Sequence, residues 1–481
     1  MGWAMRRVIR TIIFVVVLLV GIPLAVVAAF VAWGMQDIAP CDDSDLQLTR
    51  LEVPEEENAF PVVLKAGEAM FVPRWNMHPA SQPTNGGPIG RPPGAIGESD
   101  FLGAFGVGEG VGYWEAILEI ACGRRSNDAL AEEALRRNGQ ALDLFDQALA
   151  RPYLQFPSSV YDPEFVSPFL SHSSTLVRLA LLRARMTLAD GDPQQAVEQV
   201  VKILRFGRSV RNAQGTVMCY YVGLAIGDRA TGALRAWTGD SRVTCEILSP
   251  YMVRLEDMRP GSDGLADAIR GQYRWQLNGL DLEIDRVLRR SDECRFVPAA
   301  FRYHPNETRK MLTDMCRDYV RYVTGSGRRP APTFEPFNPF KDGRLPRALQ
   351  PNSLGTEMFG YLGYSIDSIV VSKARSANEI SAAQACIALR CYFDRTGRLP
   401  ETLDELVPEY LHGVPVDEFD GMPLRYDRER GVLYSVDRDL VDSGGVEGSD
   451  DRSWVIELPG LEGGKKAAAP STRDTRRGRS R

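Results

Sequence analysis

The sequence has 481 residues, of which 44% are hydrophobic and 25% are charged, and its formal net charge is −6. This is the composition of an ordinary globular protein that is large enough to form two or three hydrophobic cores. The acidic balance argues against nucleic-acid binding, which requires a concentrated basic surface.

An apolar stretch from Val8 to Trp33 opens the chain and carries no charge after Arg10. It is long enough to cross the hydrocarbon core of a bilayer as a helix. Basic residues precede this stretch and acidic residues follow it: Arg6, Arg7 and Arg10 before, and Asp37, Asp42, Asp43 and Asp45 after. The positive-inside rule therefore predicts a cytoplasmic tip and transmembrane anchor over residues 1–35, in the inner (cytoplasmic) membrane, with the N-terminus inside and the rest of the chain extracytoplasmic.

A cleaved signal peptide is the alternative interpretation of this stretch. Its apolar run exceeds the usual length of a signal-peptide core, and no Ala-x-Ala site stands cleanly at its end. We therefore favour an uncleaved signal anchor.

The eight cysteines contain no Cys-x-x-Cys pair, which argues against the usual zinc and thioredoxin sites. An extracytoplasmic compartment permits disulfides, but the sequence alone cannot assign the pairing. The favoured interpretation is that most of these cysteines are small, buried apolar side chains.

Residues 36–112 are predicted to be a loop-rich linker segment. A short helix is expected between Ala59 and Phe71, and a Gly- and Pro-dense loop from Pro73 to Gly112. The glycines between Gly106 and Gly112 are not followed by Gly-Lys-Ser or Gly-Lys-Thr, so we interpret them as a flexible lead into the next helix and not as a phosphate loop.

Residues 113–350 have helical periodicity and are predicted to form a helical domain. One helix is expected over Ala129 to Leu149 and another over Ser174 to Ala189. Gly191 suits a helix C-terminus, and Asp192 followed by Pro193 suits the start of the next helix. This helix–turn–helix resembles one tetratricopeptide unit, but no second copy follows at the expected period, so an αα-hairpin in an irregular bundle is predicted.

Three further helices are expected in this domain. The first, from Gly215 to Trp237, would use Gly223 and Gly227 for close packing. The second keeps one apolar stripe from Leu265 to Leu288, and the third would be capped by Asn306. A Pro-rich strap is expected to end the domain over residues 325–351.

A compact α+β module is predicted over residues 351–459. Its helix should run from Ser372 to Thr396 and end at Gly397, with a second short helix over Leu403 to Leu411. After Pro415 the apolar period changes to two, which predicts two strands, around residues 424–426 and 432–436.

The order of these segments resembles the globular domain of the major pseudopilins of type II secretion systems. The resemblance is carried by Tyr392 to Pro400, by Leu403 to Leu411, by Pro415 to Tyr426, and by Leu433 to Ser435 followed by an acidic, Gly-rich loop. It implies a helix packed on a small antiparallel sheet.

In that family the last loop holds a calcium ion. The corresponding loop here, residues 437–451, contains six acids and three glycines in fifteen positions, and calcium prefers several carboxylate oxygens on a backbone that can bend. The resemblance implies calcium as a cofactor, since Asp439 and Asp450 or Asp451 lie nearest the family's acidic positions. The predicted ligands are Asp439, Asp442, Asp450 and Asp451. The alternative is a solvated acidic turn.

The chain departs from a pseudopilin at its other end. The span holds no glutamate, and the module follows far downstream of it instead of continuing it. We therefore expect a pseudopilin-like head attached to a helical protein and not a filament subunit. The whole layout also resembles bacterial membrane-anchored families with no assigned function. The basic tail, residues 460–481, is predicted to be disordered.

The sequence contains no His-Glu-x-x-His and no Gly-x-Ser-x-Gly motif. The leading hypothesis is a mainly helical, non-enzymatic, single-pass envelope protein whose partners are the lipid bilayer and a second protein. The alternative is an extracytoplasmic hydrolase whose carboxylates lie between the helical body and segment 73–112.

Overall fold

The computed structural model describes residues 9–10, 14–50, 52–71, 112–165, 167–290, 299–325 and 350–459. The predictions for the Gly- and Pro-dense loop at 73–111, for the Pro-rich strap at 326–349 and for the basic tail at 460–481 lie outside these residues. The described chain is mainly helical, with one small antiparallel sheet.

The helices are α1 (Ile22–Gly34), α2 (Ala59–Glu68), α3 (Tyr113–Ala121), α4 (Asp128–Arg137), α5 (Gly139–Leu149), α6 (Phe169–Ala189), α7 (Pro193–Arg211), α8 (Val217–Trp237), α9 (Cys245–Leu248), α10 (Met252–Asp257), α11 (Ser262–Arg290), α12 (Ala299–Arg302), α13 (Pro305–Thr324) and α14 (Ser353–Thr396). The strands are β1 (Arg425–Asp427), β2 (Val432–Ser435) and β3 (Arg452–Val455). The chain forms two units: Met1–Thr49, Ser158–Phe165 and Ile269–Ser368 make the first, and Arg50–Pro157, Val166–Ala268 and Ile369–Arg481 make the second.

The first unit begins with an apolar helix over Phe14–Gly34. This helix of 21 residues is long and apolar enough to cross a membrane. It contains one π-helical turn, Val17–Gly21, ahead of α1. Its large apolar side chains are exposed, as expected for a helix surrounded by lipid but not for a helix in a protein core.

The end of this helix packs into the folded part of the first unit. The ring of Phe30 lies 5.7 Å from that of Phe301, and the Gly34 carbonyl oxygen lies 2.8 Å from Nε2 of His304. A side chain at Gly34 would collide with Phe301. The end of the helix is therefore packed against and bonded to the rest of the first unit.

The segment after α1 is fixed along α13 by carboxylates. Asp37 accepts hydrogen bonds from the backbone N–H groups of Asn306, at 2.8 Å, and Glu307, at 3.0 Å, and so caps the start of α13. Asp43 accepts from the Tyr273 hydroxyl and from the Arg309 guanidinium, both at 2.6 Å. The prediction that Asn306 caps this helix is wrong: the helix begins at Pro305, and the cap comes from a residue distant in sequence.

In the second unit, the turn between α6 and α7 has the predicted chemistry. Gly191 has a φ of +93°, which favours glycine, and Asp192 Oδ1 accepts from the Gln195 backbone N–H at 2.9 Å. Helices α7 and α8 then approach closely, because a Cβ on Gly223 would lie 2.8 Å from the Gly207 carbonyl oxygen. The predicted αα-hairpin and the close-packing role of Gly223 are confirmed.

The single helix predicted over Ala129 to Leu149 is wrong. It divides into α4 and α5 at Asn138, a fully buried residue whose Oδ1 accepts from the Phe71 backbone N–H at 2.9 Å. The buried positions keep helical spacing across this break, from Ala134 to Ala141, so the apolar pattern did not reveal it.

The C-terminal module contains a longer helix and one more strand than predicted. Helix α14 starts at Ser353, not Ser372, and its end at Gly397, with φ +73°, is as expected. The segment after it forms a 3-10 turn, Leu403–Leu406, in place of a longer helix. Strands β1 and β2 are as predicted, and β3 pairs antiparallel with β2 and places Trp454 opposite Leu433 in the core.

Candidate functional site

The candidate site is formed by two loops beside the sheet in the second unit, at 415–422 before β1 and at 436–451 between β2 and β3. Asp417 holds them together and is fully buried. Its Oδ2 accepts from the Val436 backbone N–H at 3.1 Å, and its Oδ1 accepts from Asn378 Nδ2 at 2.8 Å. The Asn378 side-chain carbonyl in turn accepts from the Glu418 backbone N–H at 2.9 Å, so α14 fixes both loops.

Arg425 on β1 adds a charged connection between the same two loops. It pairs with Asp417 at 3.0 Å and with Asp420 in the first loop, and its Nε lies 3.7 Å from Asp442 in the second. Burial alone would raise the pKa of Asp420, but the bond to Arg425 lowers it, while these carboxylates raise the pKa of Arg425. The loops are therefore ordered by charge-assisted hydrogen bonds.

The four predicted calcium ligands lie in the second loop, where three of them shape the backbone. Asp439 accepts from the Val441 N–H at 3.1 Å, and Asp442 from the Gly444 N–H at 3.0 Å. Asp451 Oδ2 accepts from the backbone N–H groups of Ser443 and Gly445 at 3.0 and 2.7 Å.

Asp450, the fourth predicted ligand, is exposed. Asp451 Oδ1 is buried and has no hydrogen-bond partner in the described structure, so one oxygen is free to take a ligand. However, no three acidic, histidine or cysteine side chains of the described residues lie together in an arrangement that could hold a metal.

Calcium therefore stays a prediction of the resemblance. The melting temperature measured with calcium chloride and with magnesium chloride tests it, because a rise specific to calcium should disappear in a D439A/D450A double variant.

The two loops expose large apolar side chains among their acids. Five large side chains are between 39% and 58% exposed: Val416, Met422, Leu440, Val441 and Val446. Leu440 has a φ of +58°, a conformation that a non-glycine residue adopts only at a cost. We call these five residues the loop surface.

A second polar cluster lies deeper, where α8, α14 and β3 meet. Glu379 is 4% exposed. Its carboxylate accepts from Arg235 at 2.5 Å, from Arg452 Nε at 2.8 Å and from Trp454 Nε1 at 3.0 Å. Burial alone would raise the pKa of Glu379, but the charges of Arg235 and Arg452 lower it.

Asp228, on α8, belongs to the same region and accepts from the Ser376 hydroxyl at 2.6 Å. Burial raises the pKa of Asp228 to about 6, and the nearby charge of Glu379 adds to this effect. Such a carboxyl group is the kind that acid–base catalysis uses. Here, however, both acids are bonded to neighbouring elements: Glu379 connects β3 to α8, and Asp228 connects α8 to α14.

The sequence indicated the loop that carries the acids but not the residues that organise the site. Asp417, Asn378 and Arg425 act through partners that are distant in sequence, up to the 57 positions between Asn378 and Ser435. The only available signal was the acid-rich stretch from Asp417 to Asp420 just before a strand.

Comparisons with known proteins place this chain in no family: no protein-family model, no curated protein and no solved structure matches it. The resemblance to pseudopilins rests on the residues already named.

Proposed function

We propose that this chain is a single-pass envelope protein, anchored by its N-terminal helix, whose extracytoplasmic C-terminal module docks on a protein partner through the loop surface. The proposal assigns it no catalytic activity. By resemblance to pseudopilins, the partner would belong to a secretion-related assembly.

The observation that carries the proposal is the loop surface itself. It exposes five large apolar side chains on two loops to water, which is unfavourable. Exposed apolar patches of this kind mark interaction sites. Because Asp417 and Arg425 fix both loops, a partner would not have to order them on binding. Pre-ordered surfaces lose less entropy on association.

The location is supported by three features. The helix Phe14–Gly34 exposes its apolar side chains, and its end is bonded into the folded unit through His304. Such integration favours an anchor that is retained over one that is cleaved. A disulfide between Cys245 and Cys391 favours an oxidising compartment.

The surface's charge suggests the character of the partner. The second loop carries Asp439, Asp442, Glu447, Asp450 and Asp451 around Leu440 and Val441. An apolar patch with basic residues at its rim would complement it.

A photo-crosslinking residue at position 441 of the full-length protein, expressed in its native membrane, tests the proposal. We expect one discrete adduct with a second protein. The substitution Leu440→Asp should weaken the adduct at least about tenfold, because burying one large apolar side chain contributes roughly 1.5–3 kcal/mol.

Val253 offers a matched control, since it is an aliphatic residue on α10 that is also largely exposed. A crosslinker at position 253 should give no discrete adduct. Equal adducts at positions 441 and 253, or none at 441, would contradict docking through the loop surface.

A further inference from the structure

A cavity of about 670 Å³ lies within the second unit, away from the loop surface. One wall is the end of α5 and the segment Ala150 to Leu154 that follows it, and the other is formed by the hairpin of α6 and α7. Its volume is in the range of ligand pockets.

The lining of this cavity is apolar at its base. Ala148, Ala180, Ile203 and Phe206 line it and are buried. An apolar group of a ligand would therefore find contacts there that it does not have in water.

The charges around the cavity do not balance. Asp146 pairs with Arg183 at 2.6 Å, and Glu198 lies between Arg205 and Arg254, at 4.0 and 3.4 Å. Two further cations line the cavity, Arg151 and Lys202, and neither has an acidic partner among the described residues. The excess positive charge suits a carboxylate.

The segment after α5 also has backbone groups that are available for hydrogen bonding. Tyr153 pairs on one side with the segment before α2: its N–H donates to the Glu57 carbonyl, and its carbonyl accepts from the Ala59 N–H. In an extended chain the next residue points its backbone groups the opposite way. That residue is Leu154, which lines the cavity, and its amide and carbonyl make no hydrogen bond to the described residues.

We propose that this cavity binds the C-terminal end of a peptide whose last side chain is apolar. The terminal carboxylate would pair with Arg151 and Lys202, the last side chain would occupy the apolar base, and the peptide backbone would pair with Leu154. Such pairing of an added strand with a free edge is a general mode of peptide recognition.

The test uses the full-length protein in detergent and the fluorescently labelled pentapeptide Gly-Ser-Gly-Ser-Leu. The peptide is prepared with a free carboxyl terminus and, separately, with an amidated one. Fluorescence anisotropy should show the free form binding at least about tenfold more tightly. In the double variant R151E/K202E this preference should be lost.

Two further variants separate the cavity from general charge. Arg208 is an exposed cation on α7, the helix that carries Lys202, but it does not line the cavity. The substitution Arg208→Glu should therefore leave peptide binding unchanged. Ala150 is exposed and lines the cavity. The substitution Ala150→Trp should block peptide binding without changing the charge of the cavity. The far-ultraviolet circular dichroism of each variant checks that it is folded.

Several results would overturn the proposal: equal binding of the free and amidated peptides, no binding of either one at millimolar concentration, or the same loss in R208E as in R151E/K202E. Displacement of the peptide by laurate at much lower concentrations would assign the cavity to a fatty acid instead. These measurements do not involve the N-terminal helix or the loop surface. If the cavity did not bind the peptide, the proposed function would therefore still stand.

Discussion

Replacing Cys245 and Cys391 together with serine is expected to lower the free energy of unfolding of the second unit by about 4 kcal/mol. The two cysteines form a disulfide across a sequence separation of 146 residues. A bridge that closes so long a loop removes a large amount of conformational entropy from the unfolded chain. Urea unfolding of the oxidised wild type and of the C245S/C391S variant measures the difference.

The neighbouring contacts should keep the folded structure of this variant unchanged. Asp394 accepts from the Cys245 backbone N–H at 3.2 Å and pairs with Arg390 at 2.7 Å. Arg390 also donates to the Asp240 carbonyl at 3.0 Å. None of these bonds requires the disulfide, so the loss of stability should come mainly from the unfolded state.

Cys122→Ser is the matched control, because Cys122 is a partly exposed cysteine outside the disulfide. It should leave the unfolding midpoint nearly unchanged. Treating the wild type with dithiothreitol should reproduce the double variant. A wild type whose stability does not respond to reduction would contradict the bridge and remove one support for an oxidising compartment.

Local chemistry in the sequence predicted local structure well. The turn from Gly191 to Pro193 was predictable because the glycine, the capping aspartate and the proline each act within four residues. The close packing at Gly223 was predictable because glycine on a helix face has few other uses. The apolar N-terminal helix was evident from its length and composition.

Features that depend on distant partners were not predictable. Asn138 breaks a helix because it bonds to Phe71, far earlier in the chain. Strand β3 has only four residues and follows an irregular acidic loop. Its alternation of apolar and polar residues was too short to be distinguished from the loop. Likewise, no pattern in one segment could show that Cys245 pairs with Cys391 or that Arg235 meets Glu379.

The second large effect is expected at the carboxylates of Glu379 and Asp228, where two isosteric changes should act in opposite directions. Glu379→Gln should lower the free energy of unfolding by about 2 kcal/mol, because it leaves Arg235 and Arg452 without their counter-charge. This value is discounted because both arginines are partly exposed to solvent. Asp228→Asn should raise the free energy of unfolding at neutral pH by about 1–2 kcal/mol, because the amide keeps the bond from Ser376 without a partly buried charge.

The pH dependence distinguishes the two acids. Burial raises the folded-state pKa of Asp228 from 3.8 to about 6, so its favourable contribution is complete below pH 3.8 and is lost as the pH rises through 6. The advantage of D228N should therefore be large at pH 8 and vanish near pH 4. For Glu379 the pKa is lowered below 4.5 by its arginine partners, against the effect of burial, so its contribution is present above pH 4.5 and is lost only below.

Urea unfolding of the wild type, E379Q and D228N at pH 8, 6 and 4.5 measures both effects. The deficit of E379Q should be nearly constant over this range, while the gain of D228N should shrink as the pH falls. A gain in D228N that stays the same at pH 8 and 4.5 would mean that folding does not raise the pKa of Asp228. If E379Q were as stable as the wild type, the contacts of Glu379 with Arg235 and Arg452 would not be what attaches the sheet to α8, and the apolar core around Leu433 and Trp454 would contribute more to holding the sheet.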